Sequence, residues 1–245
     1  MEKLYITQWH GIEFSEFTQY DNNSIADYKF YNKFYDAFFE KYSSFDDLSP
    51  QWVESRKNSI KLLLTNLNNC KKVLSIGCGI GYLEKEVALK FDGDIIAIEP
   101  SFKSLKWIKS NEKVNVIEGF FPTDMPDNIN PMEIDLAYIA SIDYIFTDDE
   151  YISFLKNILN YGIKELLIVD VGLIADTKNK IKGLIRNILA FLGVKKYKND
   201  NGQWIGYRRT FQEQYTLVKQ AGFKRVEHGF FNNDIPYIKA YKEDI

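Results

Sequence analysis

Short, mostly apolar runs recur through the latter part of the chain, at residues 73–76, 95–98, 114–117, 134–140 and 164–170. Runs of this length with little polar alternation read as strands covered on both faces. Segments of helical character separate them: Tyr82 to about Phe91, Ser101 through Trp107 and Ile108, Glu150 to Leu159, and Thr210 to Ala221. The last of these stops at Gly222, the residue type favoured just past a helix end. Residues 223–231 and 235–241, joined by Asn232-Asn233-Asp234, read as a closing hairpin. Strands alternating with helices and then a hairpin predict an α/β fold with a mostly parallel sheet.

The first seventy residues carry a different pattern. Fifteen aromatic residues lie between Tyr5 and Trp52. Tyr28, Tyr31, Tyr35, Phe38 and Tyr42 share one helical face, with Phe34 and Phe39 beside it. Ser49-Pro50 starts a second helix with a capping side chain and a proline suited to the first turn. Leu62, Leu63, Leu64 and Leu67 give that helix an apolar face. The expectation is an aromatic-rich helical cap over residues 1–70. It forms one structural unit with an α/β domain over 71–245, and residues 1 to about 45 roof a pocket. Aromatic walls exclude water and stack on flat or sugar rings.

The chemistry concentrates where the first apolar run meets Gly77-Cys78-Gly79-Ile80-Gly81. Glycines at alternate positions let the backbone turn sharply and approach a ligand with no Cβ between. The helix from Tyr82 then directs unpaired N–H groups at whatever fills the turn. Glu99 ends the next strand, where a carboxylate can accept hydrogen bonds from both hydroxyls of a ribose. Strand, turn, helix and acid together make a nucleoside site. A dinucleotide fingerprint needs its third glycine at position 82, which is Tyr82; here the spacing is G-x-G-x-G.

With these residues the chain resembles the class I S-adenosylmethionine-dependent methyltransferases of small-molecule type. The resemblance covers roughly residues 70–245. It implies a Rossmann-like fold: a seven-stranded, mostly parallel sheet that closes with an antiparallel hairpin, plus the N-terminal helical cap. It also implies S-adenosyl-L-methionine as cofactor and S-adenosyl-L-homocysteine as product. In that family the glycine turn lies under the methionyl part and ribose. Gly77, Cys78, Gly79, Gly81, Glu99, Pro100, Phe120, Phe121 and Ala140 are the positions carried over for cofactor binding. Two departures stand out. Ser75 occupies the place of an acid that helps to organise the cofactor's amino group, and Phe120 that of an acid that bonds adenine. Asp124 is a second partner for adenine, or simply a turn former.

Ligands of doubly wound sheets bind beyond the carboxyl ends of the strands. Ser141, Asp143 and Tyr144 follow the fourth strand and rank first for contact with the methyl acceptor. An oxygen nucleophile needs a base, usually histidine or a carboxylate. Of the two histidines, His10 lies in the aromatic cap and His228 in the penultimate strand, where a structural role fits better. The candidate catalytic set is Asp143, His10 and Tyr144. No His/Asp/Glu cluster has metal-ligand spacing, so no metal is expected.

Other features narrow the acceptor. The Asn/Asp-Pro-Pro-aromatic signature of exocyclic-amine methylation is missing after the fourth strand, as is a Pro-Cys nucleophile. A net charge of −3 argues against a nucleic-acid partner. What remains is methylation of a small molecule, most readily the hydroxyl of a sugar or nucleotide-linked sugar. The alternatives are a non-catalytic cofactor-binding protein or an N-methyltransferase of a secondary metabolite. Lys178, Lys180, Lys182, Arg186, Lys195, Lys196, Lys198, Arg208 and Arg209 make the segment before the last helix the most basic region. It reads as a solvated face, a membrane contact, or a lid over a phosphate-bearing acceptor. Two cysteines and no apolar run of about 20 residues fit a cytoplasmic protein without stable membrane insertion.

Overall fold

The computed structural model describes residues 1–21, 23–174 and 202–243. Three short strands come first: β1 (Glu2–Ile6), β2 (Gln8–Trp9) and β3 (Ile12–Glu13). Helix α1 (Tyr28–Lys41) is capped by the Asp27 carboxylate, and α2 (Pro50–Leu67) by the Ser49 hydroxyl. The α/β part follows as β4 (Lys72–Ile76), α3 (Tyr82–Ala88), β5 (Asp94–Glu99), β6 (Val114–Glu118), β7 (Leu136–Ala140), α4 (Asp148–Tyr161) and β8 (Glu165–Val169). The described residues close with β9 (Gln203–Arg208), α5 (Phe211–Ala221), β10 (Arg225–Phe231) and β11 (Ile235–Tyr241).

The main sheet has seven strands in the order β10-β11-β8-β7-β4-β5-β6. Strands β6, β5, β4, β7 and β8 run parallel, and β11 and β10 add antiparallel at one edge. Strand order reverses at β4, so the crevice beyond the carboxyl ends of β4, β5 and β7 is the ligand position for this topology. Alternation along each strand divides the core. Val73, Ile95, Ala97, Tyr138, Leu167 and Val169 face the aromatic N-terminal layer. Leu74, Ile96, Ile139, Leu166 and Ile168 face α4 and α5, against Tyr151, Leu155, Ile158, Leu217 and Val218. Each such side chain, fully buried, contributes about 1.5–3 kcal/mol.

Three expectations need correction. The helix read after Glu99 is a pair of 3-10 turns, Ser104–Lys106 and Ile108–Ser110. The Ser104 hydroxyl bonds the Ser101 carbonyl, a local partner that competes with helix propagation. The cap is also not all helical. Strand β1 pairs antiparallel with β9, at the end of the basic segment, where no strand was expected. Of that basic stretch, residues 175–201 lie outside the described residues. Arg209 is no lid cation: it is 0% exposed and bonds Asp148 and the carbonyls of Asp143 and Phe146.

Candidate functional site

At the carboxyl edge of the sheet, strands and helices from both layers meet at a cavity of about 990 Å³. Its floor is the turn after β4. Gly77, Gly79 and Gly81 hold φ of +76°, +56° and +75°, values that L side chains adopt only with strain. Their surroundings differ. A Cβ on Gly77 would lie 2.9 Å from Ile142, and one on Gly81 2.4 Å from Ile108, so these two glycines serve packing. A Cβ on Gly79 would meet nothing nearer than the Tyr35 hydroxyl, at 3.4 Å. Gly77 and Gly79 line the cavity and Gly81 does not, and of the two only Gly79 has room on its Cβ side.

Glu99 ends β5 with its carboxylate across this turn. It accepts from the Gly79 N–H at 3.0 Å and the Ser101 N–H at 2.9 Å. Burial pushes its pKa up, and the two N–H donors pull it back. Glu99 thus tethers the glycine turn to the loop after β5. Cys78, Pro100, Phe121 and Ala140 also line the cavity, as does Phe120, which is 61% exposed. Asp124 accepts from the Phe120 N–H at 2.7 Å, and a Cβ on Gly119 would collide with it. It is the turn former of the two readings given to it.

The roof is the aromatic layer. Tyr31 and Tyr35 reach in from α1, Trp9 and His10 from the β2–β3 hairpin, and Trp52 and Arg56 from α2. His10 sits among rings, with centroids 4.8 Å from Trp52 and 5.1 Å from Phe38. Burial and the nearby Arg56 charge lower its pKa to about 4, so its imidazole is neutral at neutral pH. Tyr144 pairs with the Tyr31 hydroxyl, and burial holds its phenol protonated, a donor rather than a base.

Asp143 departs from expectation. Its carboxylate is 0% exposed, accepts from the Gly172 N–H at 3.0 Å and Gln214 at 2.7 Å, and does not line the cavity. Burial raises its pKa to about 6. The 3-10 turn Asp143–Ile145 directs this side chain behind the wall, so it braces the loop instead of meeting an acceptor. A different carboxylate faces the cavity. Asp170, just past β8, accepts from Arg56 and from the Ser141 hydroxyl, each at 2.8 Å. Ser141 and Asp170 both hold positive φ, at +55° and +58°, uncommon outside glycine although aspartate tolerates it better than most, and such residues cluster at functional sites. The signal was present in the sequence: Asp170 ends a buried strand as Glu99 does. Arg56 carried none, being one cation on an amphipathic helix.

Beneath the floor lies a buried polar group. Glu84, from the first turn of α3, is 2% exposed and accepts from Ser75 at 2.6 Å and from Tyr138 at 3.0 Å. Burial raises its pKa, against the pull of those two hydroxyls. Among the described residues no group of three or more His, Cys, Asp or Glu is arranged to hold a metal ion.

No family model and no curated protein sequence matches the chain. Solved structures do match in shape. A putative O-methyltransferase from Nostoc punctiforme PCC 73102 superposes with a TM-score of 0.60 at 16% identity, over 94% of this chain and 66% of that one. Human N-acetylserotonin methyltransferase in complex with SAM gives 0.59 at 18% identity, over 88% of this chain and 56% of that one. The mitomycin 7-O-methyltransferase MmcR gives 0.59 at 16%, over 91% and 62%. The chain therefore spans between about half and two thirds of the length of these proteins. The glycine turn, the acid after β5 and the closing hairpin stand in the order the resemblance implied, and the chain has the Rossmann-like fold of the class I methyltransferases.

Proposed function

We propose that the protein is an S-adenosylmethionine-dependent methyltransferase acting on a small molecule, with oxygen as the acceptor atom. The observation that carries this reading is the pairing of Gly79 with Glu99. A turn that no side chain fills faces the cavity, and a carboxylate stands across it where ribose hydroxyls would bond. The cofactor fits that cradle: Gly79 and Cys78 would lie under its methionyl part, Glu99 would hold the ribose, and Pro100, Phe120 and Phe121 would flank the base. Bound there, the cofactor supplies a methyl group already activated on sulfur. The chain then has to align a nucleophile and exclude water, and alignment alone is worth several kcal/mol.

The roof and the β7–β8 edge serve those tasks. Aromatic side chains roof the cavity, where they would exclude water around a bound acceptor, while Tyr144 can donate to an acceptor oxygen without losing its proton. His10, neutral and inside the cavity, is the candidate base among the residues first singled out. The ring-lined wall supports a ring-shaped acceptor. A sugar presents a C–H face to such rings, and Arg208, also at the cavity, supports a nucleotide-linked sugar with its phosphates. The density of aromatic side chains equally favours a planar hydroxylated ring. Parallel calorimetric titrations with S-adenosylhomocysteine and NAD test the cofactor. Binding of the former alone is expected, and binding of NAD alone would overturn the reading. Methyl transfer to a panel of nucleotide sugars and phenols, followed by mass, then separates the acceptor classes.

A further inference from the structure

A carboxylate is buried under the glycine turn with no ion pair among the described residues. Glu84 Oε1 takes both hydroxyl donors, Ser75 and Tyr138. Glu84 Oε2 is fully buried and has no hydrogen-bond partner among the described residues. A buried, unpaired carboxylate oxygen is costly, and its presence in a folded core calls for a compensating role. Three elements deliver this cluster to one place: Ser75 from β4, Tyr138 from β7 and Glu84 from α3. Ser75 lies two residues before Gly77, so the cluster sits immediately below the turn. Burial raises the pKa of both Cys78 and Glu99 most, and the Glu84 carboxylate adds to the rise in each. The field of this carboxylate therefore reaches the floor of the cavity.

We infer that Glu84 takes over the work of the acid missing at position 75, acting from α3 as a positioning residue that favours the α-ammonium group, within the zwitterionic amino-acid end of the ligand, over the turn. Ser75 and Glu84 form a matched pair. Serine on the strand makes room for the longer side chain arriving from the helix and bonds it at 2.6 Å. Glu84 does not line the cavity, so its effect passes through the turn and through its charge. The inference rests on the cofactor reading above, and it assigns the part of the ligand that the charge recognises.

The experiment compares two probes by calorimetry: S-adenosylhomocysteine, and 5′-methylthioadenosine, which keeps the nucleoside and thioether but has no amino-acid end. Glu84→Gln is expected to weaken S-adenosylhomocysteine about tenfold and to change 5′-methylthioadenosine by less than about twofold, a buried charge acting over several ångströms. The exchange Ser75→Asp with Glu84→Ser, which returns the carboxylate to the strand, is expected to restore the first affinity to within about threefold. Equal losses for both probes in Glu84→Gln would mean a collapsed turn and would overturn the inference. So would unchanged affinity for both. If Glu84→Gln does not fold, the exchanged pair decides alone: native affinity supports the inference, and a folded protein that discriminates against S-adenosylhomocysteine refutes it. Wild-type protein that binds neither probe removes the cofactor reading itself, a result distinct from all of these.

Discussion

Single residues at this site divide into those that face the ligand and those that hold the turn. Glu99→Ala should weaken S-adenosylhomocysteine by about 1–3 kcal/mol, the range for losing hydrogen bonds to a charged group. Calorimetry on a variant with a native circular dichroism spectrum is the measurement, and unchanged affinity would remove Glu99 from the ribose site. The glycines separate the two roles within five positions. Gly81→Ala drives a Cβ into Ile108 at a positive φ, and should lower stability by about 2–4 kcal/mol in urea unfolding. Gly79→Ala meets only strain, about 1–2 kcal/mol, and should remain folded while losing affinity at least tenfold. His10 gives a test in pH. Its folded pKa, about 4, lies below the unfolded value near 6.5, so the native state binds fewer protons in between. Its contribution to stability is therefore complete above pH 6.5 and declines as pH falls toward 4, by up to about 3 kcal/mol. Unfolding of wild type and His10→Phe in parallel should show the stability gap shifting in favour of the variant by that amount. A gap that stays constant would mean an imidazole exposed to solvent.

Among the elements, the parallel strands were the most legible. Buried on both faces, 73–76 and 95–98 have little choice but to be sheet, and the observed β4 and β5 match them closely. The helices with side-chain caps were equally plain, because Ser49, Thr147 and Thr210 each bond the backbone at a helix start. Illegible were elements whose partner is remote. Strand β9 has no alternation that sets it apart from a loop, and its identity comes from β1. Asp143 was misjudged for a related reason. Its position after β7 fixes its neighbourhood but not its direction, which a 3-10 turn and the Gln214 amide from α5 decide. The same remote pairing revises an expectation about the N-terminal segment. Deleting residues 1–20 would at first suggest lost turnover in a folded protein. The deletion removes β1 from β9 and takes the buried Ile12 and Phe14 out of the core. Since removing one buried Phe side chain costs about 3–5 kcal/mol, thermal unfolding of the truncated chain should shift down by roughly 10–20 °C. A truncated chain with a native midpoint would show that this layer is an ornament to the fold.

For the molecule as a whole, cap and α/β layer share one apolar core. Phe34, Phe38 and Leu63 belong to the same cluster as Val73, Ile95 and Val169. The division at residue 70 that composition suggests is thus a boundary in sequence more than in space. Among the described strands β1 pairs with β9 alone, while its Leu4 and Ile6 pack against the core. This closure gives the molecule a history during synthesis. At about 5–20 residues per second, a ribosome that has made residue 6 needs on the order of 10–40 s to reach residue 208. For that interval β1 is an unpaired edge, a template for the wrong strand of another chain. Glu2 and Lys3, charged and exposed, stand on it. The nascent protein can complete its central strands first, but the roof over its cavity is among the last parts to close.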